Sequence, residues 1–86
     1  MSALGVTVGT IDKGHAAQLR VSLTSWRDKH RVDLRECTAT VPGIYFPTSN
    51  GVTLDIAKLP ELIEVLLSAE VEARTRGLIG EKAVAA

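Results

Sequence analysis

The sequence is poor in most of what a small protein uses to staple itself or to build a reactive centre. Its 86 residues include one cysteine, three prolines and three aromatic residues, and 10 basic side chains balance 10 acidic ones. A lone Cys37 excludes an intrachain disulfide, and no Cys/His cluster has zinc spacing. Cys37 reads as a buried structural thiol, with an interchain disulfide or a reactive thiol as the alternative. No stretch approaches the length of a membrane span. The first ten residues, MSALGVTVGT, have neither a basic n-region nor an apolar run of signal length, so a cytoplasmic location is expected. There is no Gly-rich phosphate loop, no HExxH and no GxSxG. The carboxylate pairs Asp33/Glu36 and Glu61/Glu64 read as structural or surface groups, one on a strand beside arginines and the other on a solvated helix face. His15, by a turn, reads as solvated. So does His30, whose cation is disfavoured by Lys29 and Arg31 and which could tune affinity with pH. Neither an enzyme nor a cofactor or metal is expected.

Zero net charge argues against a surface that binds nucleic acid strongly, yet the charges are not evenly spread. Residues 12–36 carry six Lys or Arg against four acids, whereas residues 55–76 carry three bases against five acids. If the two segments lie on different faces, a modest positive patch survives. The length predicts a single domain over residues 1–86, with a core over about 4–76 and a frayed tail over 78–86. A chain this short buries only roughly 60 to 65% of its unfolded surface, so with no staple in the sequence a homodimer is expected.

The most informative stretch is residues 19–36, LRVSLTSWRDKHRVDLRE. Leu19, Val21 and Leu23 alternate with Arg20, Ser22 and Thr24, and Val32 and Leu34 alternate with Arg31, Asp33 and Arg35. Each run has the period-2 pattern of a strand with one buried face, and together they predict an antiparallel hairpin with residues 25–29 at its tip. Trp26, the single tryptophan, lies in that tip between cationic neighbours. An exposed indole beside Arg27 and Lys29 suits a stacked nucleobase next to a phosphate contact. The competing reading folds Trp26 back onto the sheet as a satellite core residue.

Around the hairpin, residues 4–11 (LGVTVGTI) predict a short first strand, and Asp12-Lys13-Gly14 predicts the turn after it. The second hairpin strand is expected to run on through Cys37 and Thr38. Pro42-Gly43 predicts a turn, and Pro47 confines Ile44, Tyr45 and Phe46 to a sheet edge or an irregular segment. Tyr45 and Phe46 should point to opposite faces. Asn50-Gly51 is the strongest tight-turn dipeptide and is expected to open the strand Val52 to Leu54. The period then changes. Ile56, Leu59, Leu62, Ile63, Leu66, Leu67 and Val71 mark one face of a helix, with Asp55 as a cap and Gly77 as the stop. Pro60 leaves two readings: a short initial turn followed by a helix starting near Pro60, or one helix bent there. The apolar stripe is wide for one small sheet and predicts packing on a symmetry mate.

LRVSLTSWRDKHRVDLRE followed by PTSNGVTLDIAKLPELIEVL resembles the single-stranded-DNA-binding domain of the positive-cofactor-four type transcriptional coactivators, including small bacterial and phage members. The resemblance spans residues 6–70 and rests on VDLRE (residues 32–36) and PTxxGVxL (residues 47–54) placed directly before an amphipathic helix. It implies an α+β, Whirly-like fold: a curved antiparallel sheet of about four strands, then one C-terminal amphipathic helix, in a homodimer. It also implies binding to single-stranded or melted DNA, contact with the transcription machinery, and a nucleoid location if the chain is bacterial. By this resemblance Trp26 takes the stacking position, Arg27 and Lys29 the basic tip and Arg35 the strand arginine; Arg20 and Arg31, outward-facing on adjacent strands by the alternation of the sequence, are expected to extend the groove.

The chain departs from the family pattern in two places. Thr38 stands where a second aromatic is common, and Ser49-Asn50 where a basic pair precedes the glycine. Weaker binding and a smaller salt dependence are therefore expected, since each lost phosphate contact removes about 0.7 from the slope on single strands. Tyr45 or Phe46 could substitute as a stacking surface. The neutral charge and the Ser49-Asn50 substitution favour the alternative function, a dimeric protein-interaction adaptor whose nucleic-acid surface has decayed.

Overall fold

The computed structural model describes residues 5–80. Strands β1 (Gly5–Gly14), β2 (Ala17–Trp26), β3 (Lys29–Val41) and β4 (Ile44–Asp55) form one curved, open antiparallel sheet in the order β1-β2-β3-β4. A 3-10 turn (Ile56–Lys58) then leads into the single helix α1 (Leu59–Thr75). A four-stranded antiparallel sheet followed by one C-terminal helix is the fold class that the sequence predicts. The tail segment from residue 81 onward lies outside the described residues.

The alternating pattern of residues 19–35 has its expected consequence. β2 and β3 pair without a shift from Ala17 opposite Thr38 to Trp26 opposite Lys29. Directly opposed residues share a face. Leu19, Val21 and Leu23 therefore lie with Val32 and Leu34 on one side, and the polar partners lie on the other. Ile11 opposite Leu19, Val6 opposite Leu23, Val52 opposite Leu34 and Leu54 opposite Val32 extend the apolar side onto both outer strands.

All three hairpins close through two residues. Pro42-Gly43 turns as expected, with Gly43 at φ 83°, the positive value that position i+2 of a type II turn requires. The first turn departs from expectation. β1 runs through Gly14, and the reversal falls at His15-Ala16, both left-handed at φ 55° and 59°. The Asp12 carboxylate does accept from the Gly14 N–H at 2.8 Å, but that local contact coexists with the ladder, which continues to Gly14 opposite Ala17. A turn of type I′ there has no glycine at either central position, so its sequence carries no signal.

Asn50-Gly51 also departs from expectation. It opens no strand, because β4 is continuous from Ile44 to Asp55. The dipeptide sits in a bulge: Arg35 opposes Gly51 and Cys37 opposes Pro47, so three β4 residues face Glu36 alone. Side chains satisfy the displaced groups. Thr48 Oγ1 donates to the Glu36 carbonyl (2.8 Å) and accepts from the Asn50 N–H (3.1 Å), and Asn50 Nδ2 donates to Glu36 Oε1 (3.0 Å). Pro47 is tolerated because β4 is an edge strand.

At the helix the structure adopts the short-turn reading. Asp55 Oδ1 accepts from the Ala57 N–H at 2.9 Å and caps the 3-10 turn, and Pro60 lies in the first turn of α1, where its missing donor costs nothing. Gly77 at φ 73° ends the helix in a Schellman motif: Leu78 N–H donates to Ala73 O at 2.8 Å and Gly77 N–H to Arg74 O at 3.0 Å. Glu70–Arg74 and Glu72–Arg76 pair one turn apart near its end.

Burial in the single chain is slight. Among the described residues only Ala17, Val32 and Cys37 are buried, and α1 buries none of its side chains. Cys37 is fully enclosed, its expected place. Leu66, Leu67 and Val71 stand 55%, 55% and 63% exposed. An open groove of about 350 Å³ runs between the end of β4 and the start of α1, lined by Leu54, Lys58, Glu61, Leu62 and Val65. Among the described residues no helix is long and apolar enough to cross a membrane.

The bulge generates a stability prediction. A Cβ on Gly51, whose φ is 153°, would lie 2.3 Å from the Leu34 carbonyl oxygen, a backbone atom held in the ladder. Gly51→Ala should therefore cost about 3 kcal/mol or more, read as a fall in thermal midpoint of more than ~12 °C. An unchanged midpoint would show that the β3–β4 register gives way freely.

Candidate nucleic-acid interface

The unbroken register of β2 and β3 places Arg20, Ser22, Thr24 and Trp26 on the same side of the sheet as Lys29, Arg31, Asp33 and Arg35. Arg27 lies in the turn that joins the two strands. Of the six residues expected to bind nucleic acid, five thus share one face and the sixth sits at its end. The opposite face is the apolar one, so the positive charges stand apart from it even though the chain is neutral overall.

The tip is tighter than its sequence suggests. β2 ends at Trp26, β3 begins at Lys29, and only Arg27 and Asp28 turn, at φ 52° and 63°. Both are left-handed, the type I′ geometry that matches strand twist. Asp tolerates this conformation, but for Arg it costs roughly 1–2 kcal/mol. The strained turn sets the Arg27 guanidinium over the Trp26 ring, 4.4 Å from its centroid. Trp26 remains 60% exposed, so it is not a satellite core residue. A cation on the ring of an exposed indole is worth about 0.5–1 kcal/mol and restrains the side chain without hiding it.

Behind the tip the cations differ in their freedom. Lys29 and Arg31 are exposed, and among the described residues their side chains make no hydrogen bond or ion pair. Arg20 is half-buried and reaches across the sheet, Nη2 donating to the Tyr45 carbonyl at 3.4 Å. Arg35 is engaged on several sides. Its Nη2 donates to Asp33 Oδ1 at 2.6 Å and to Thr53 Oγ1 at 3.2 Å, its Nε to Asp33 Oδ2 at 3.4 Å, and its Nη1 to the Ser49 carbonyl at 3.2 Å. The Arg35 guanidinium holds the Asp33 carboxyl below its ordinary range against the opposing effect of burial, and the Thr53 hydroxyl adds to the lowering. Asp33 in turn raises Arg35 further. On the other face Lys13 Nζ donates to Glu36 Oε2 at 2.6 Å, and this contact, aided by Asn50, lowers the Glu36 carboxyl.

At the second departure from the family pattern, Ser49-Asn50, both residues have local duties. Asn50 holds Glu36, and the Ser49 carbonyl holds Arg35. Of the possible substitute aromatics, Tyr45 is half-buried on the side of Pro47 and Cys37, which is the Trp26 face. Phe46 opposes Thr38 and belongs to the apolar side. The sequence reading missed the partners of Arg35. The signal for Asp33 was available, because residues two apart on a strand share a face. Thr53 could be found only once the bulge had fixed the register of β4.

The family described as Transcriptional Coactivator p15 (PC4) matches residues 14–65, more than half of the chain. The chain belongs to the PC4 family. Its fold is also similar to crystal structures of a PC4 homolog from Burkholderia pseudomallei. The orthorhombic form gives a TM-score of 0.72 at 27% identity, covering 77% of this chain and 89% of that one. The tetragonal form gives 0.70 at 27% identity, covering 78% and 98%. No curated protein matches the chain. In this PC4-family chain the matched region takes in β2, β3, β4 and the first part of α1, so the hairpin tip lies inside it while nearly all of β1 lies outside.

The strained turn separates stability from function. Replacing Arg27-Asp28 by Asn-Gly removes the left-handed penalty on Arg27 and the cation over Trp26, and the first effect is the larger. Stability should rise by about 0.5–1 kcal/mol in chemical denaturation, while affinity for a single-stranded oligonucleotide falls. A loss of stability would mean that the stacked guanidinium holds the hairpin together.

Proposed function

We propose that this PC4-family protein is a homodimeric, non-enzymatic module that binds single-stranded or melted DNA and acts in transcription, mainly without reading sequence. The observation that carries the reading is Trp26, 60% exposed at the end of a two-stranded ridge, with Arg27 on its ring and Lys29 directly opposite it. Every base has a π face, so an exposed indole stacks without selecting sequence, and cations around it meet the phosphates on either side. Arg31 and Arg20 continue the positive track along the same face. Arg35 stands next to Arg20 on that face, with its guanidinium already held by Asp33. The cytoplasm, on the nucleoid in a bacterial cell, is the location that suits this role.

Burial supports the dimer. A helix with no buried side chain and a sheet with an exposed apolar side leave Ile63, Leu66, Leu67 and the groove beside Leu54 and Leu62 without a partner of matching chemistry among the described residues. A second copy supplies the same apolar stripe, and a two-fold interface is self-complementary. Sedimentation at micromolar concentration should give the dimer mass; a folded monomer would refute this part of the reading.

The neutral Ser49-Asn50 pair, occupied within the bulge, favours a second reading, a dimeric adaptor for proteins. Fluorescence anisotropy separates the two. A labelled mixed-sequence strand of about 20 nucleotides should bind at low salt in preference to its duplex and dissociate as salt rises, and Trp26→Ala should cost on the order of 1 to 3 kcal/mol of binding. Absence of binding at low salt would leave the adaptor reading.

A further inference from the structure

We infer that Asp33 withholds Arg35 from DNA phosphates: the carboxylate, steadied by Thr53, keeps Arg35 as a positioning residue that clamps the β4 bulge, and so caps the affinity of the ridge for single strands. This inference rests on the single-strand reading above. A guanidinium has five N–H donors. Four of those on Arg35 are directed at Asp33 Oδ1, Asp33 Oδ2, Thr53 Oγ1 and the Ser49 carbonyl, which leaves one on Nη1 for any external anion. Thr53 Oγ1 closes the ring by donating to Asp33 Oδ1 at 2.7 Å.

The backbone is shaped around this arrangement. Gly51 lies opposite Arg35, and a Cβ there would come within 3.1 Å of Arg35 Cζ, so the guanidinium occupies space that any other residue would fill. Across the sheet, Arg20 is the direct neighbour of Arg35 on β2. Like charges placed opposite one another destabilise a sheet, and Asp33 offsets that repulsion. A phosphate that grips Arg35 through more than the one remaining N–H must therefore displace a carboxylate at 2.6 Å and re-expose the pair of arginines. Arg20, Arg27, Lys29 and Arg31 have no carboxylate partner among the described residues and remain available.

The test is the salt dependence of binding to a 20-nucleotide single strand by the wild type, Asp33→Asn, and Asp33→Asn combined with Arg35→Gln. Four phosphate contacts give the wild type a log–log slope of about −2.8. Asp33→Asn should release Arg35, steepen the slope by about 0.7 and tighten binding at low salt by roughly fivefold, the worth of one exposed ion pair. The double variant should return to the wild-type slope, since a closed ion pair and two neutral side chains present the same charge. A wild-type slope steeper than that of the double variant by about 0.7, or an Asp33→Asn variant that binds no more tightly, would overturn the inference and leave the single-strand reading intact. If no variant binds, both fall. Should Asp33→Asn fail to fold, the Nε–H resonance of Arg35 in the wild type decides. It should stay in place as the oligonucleotide saturates the protein while those of Arg20 and Arg31 move, and a matching shift at Arg35 would overturn the inference.

Discussion

Between β2 and β3 ten consecutive residue pairs run without a shift, from Ala17 opposite Thr38 to Trp26 opposite Lys29. Because side chains alternate along a strand, a slip of one residue would exchange the two faces completely. That single register therefore decides which side of the molecule is apolar and which carries Arg20, Trp26, Lys29, Arg31 and Arg35. It also fixes where the strain falls. Two residues must reverse the chain between Trp26 and Lys29, and the available pair is Arg27-Asp28, of which Asp28 tolerates a left-handed backbone and Arg27 does not favour it. The resulting turn sets Arg27 on the indole, so a local cost in stability coincides with the feature that suits the tip to a stacked base.

The outer strands are less regular, and their irregularities also serve the central pair. The β4 bulge breaks the ladder at Glu36, yet its Thr48, Ser49 and Asn50 return hydrogen bonds to Glu36 and Arg35. The apolar side is the less complete half of the molecule. Among the described residues only Val32 and Ala17 are buried on that side, the enclosed Cys37 lying on the Trp26 face, and α1 presents its aliphatic stripe outward. At about 25 cal/mol per Å² such a stripe is a large driving force toward a second copy, and this is the physical content of the dimer proposal.

The sequence made the fold class legible because the signals that define it are periodic. Alternation over residues 19–35 marks the hairpin, and the 3, 4 spacing from Ile56 to Val71 marks the helix. Asp55 and Gly77 act at the helix boundaries as their chemistry predicts. The turns were less legible. His15-Ala16 and Arg27-Asp28 take the conformation that Asn-Gly favours, while Asn50-Gly51 lies inside a strand, where glycine is needed for close approach to Leu34 and Arg35. Propensity is a local quantity, and in each case the ladder on either side overrides it. Within the candidate site, parity along one strand brings Asp33 and Arg35 together. The Thr53 and Ser49 contacts depend on a three-residue bulge that no local pattern announces.

The central claim is that the indole at the hairpin tip meets bases directly, and the chain has only one tryptophan. Its intrinsic fluorescence therefore reports on the tip without any label or substitution. Titration with an unlabelled single strand at low salt should quench the Trp26 emission in a saturable way, with little effect from the same sequence as duplex. Emission that stays unchanged while the strand is demonstrably bound would place the contact elsewhere on the molecule and contradict the account.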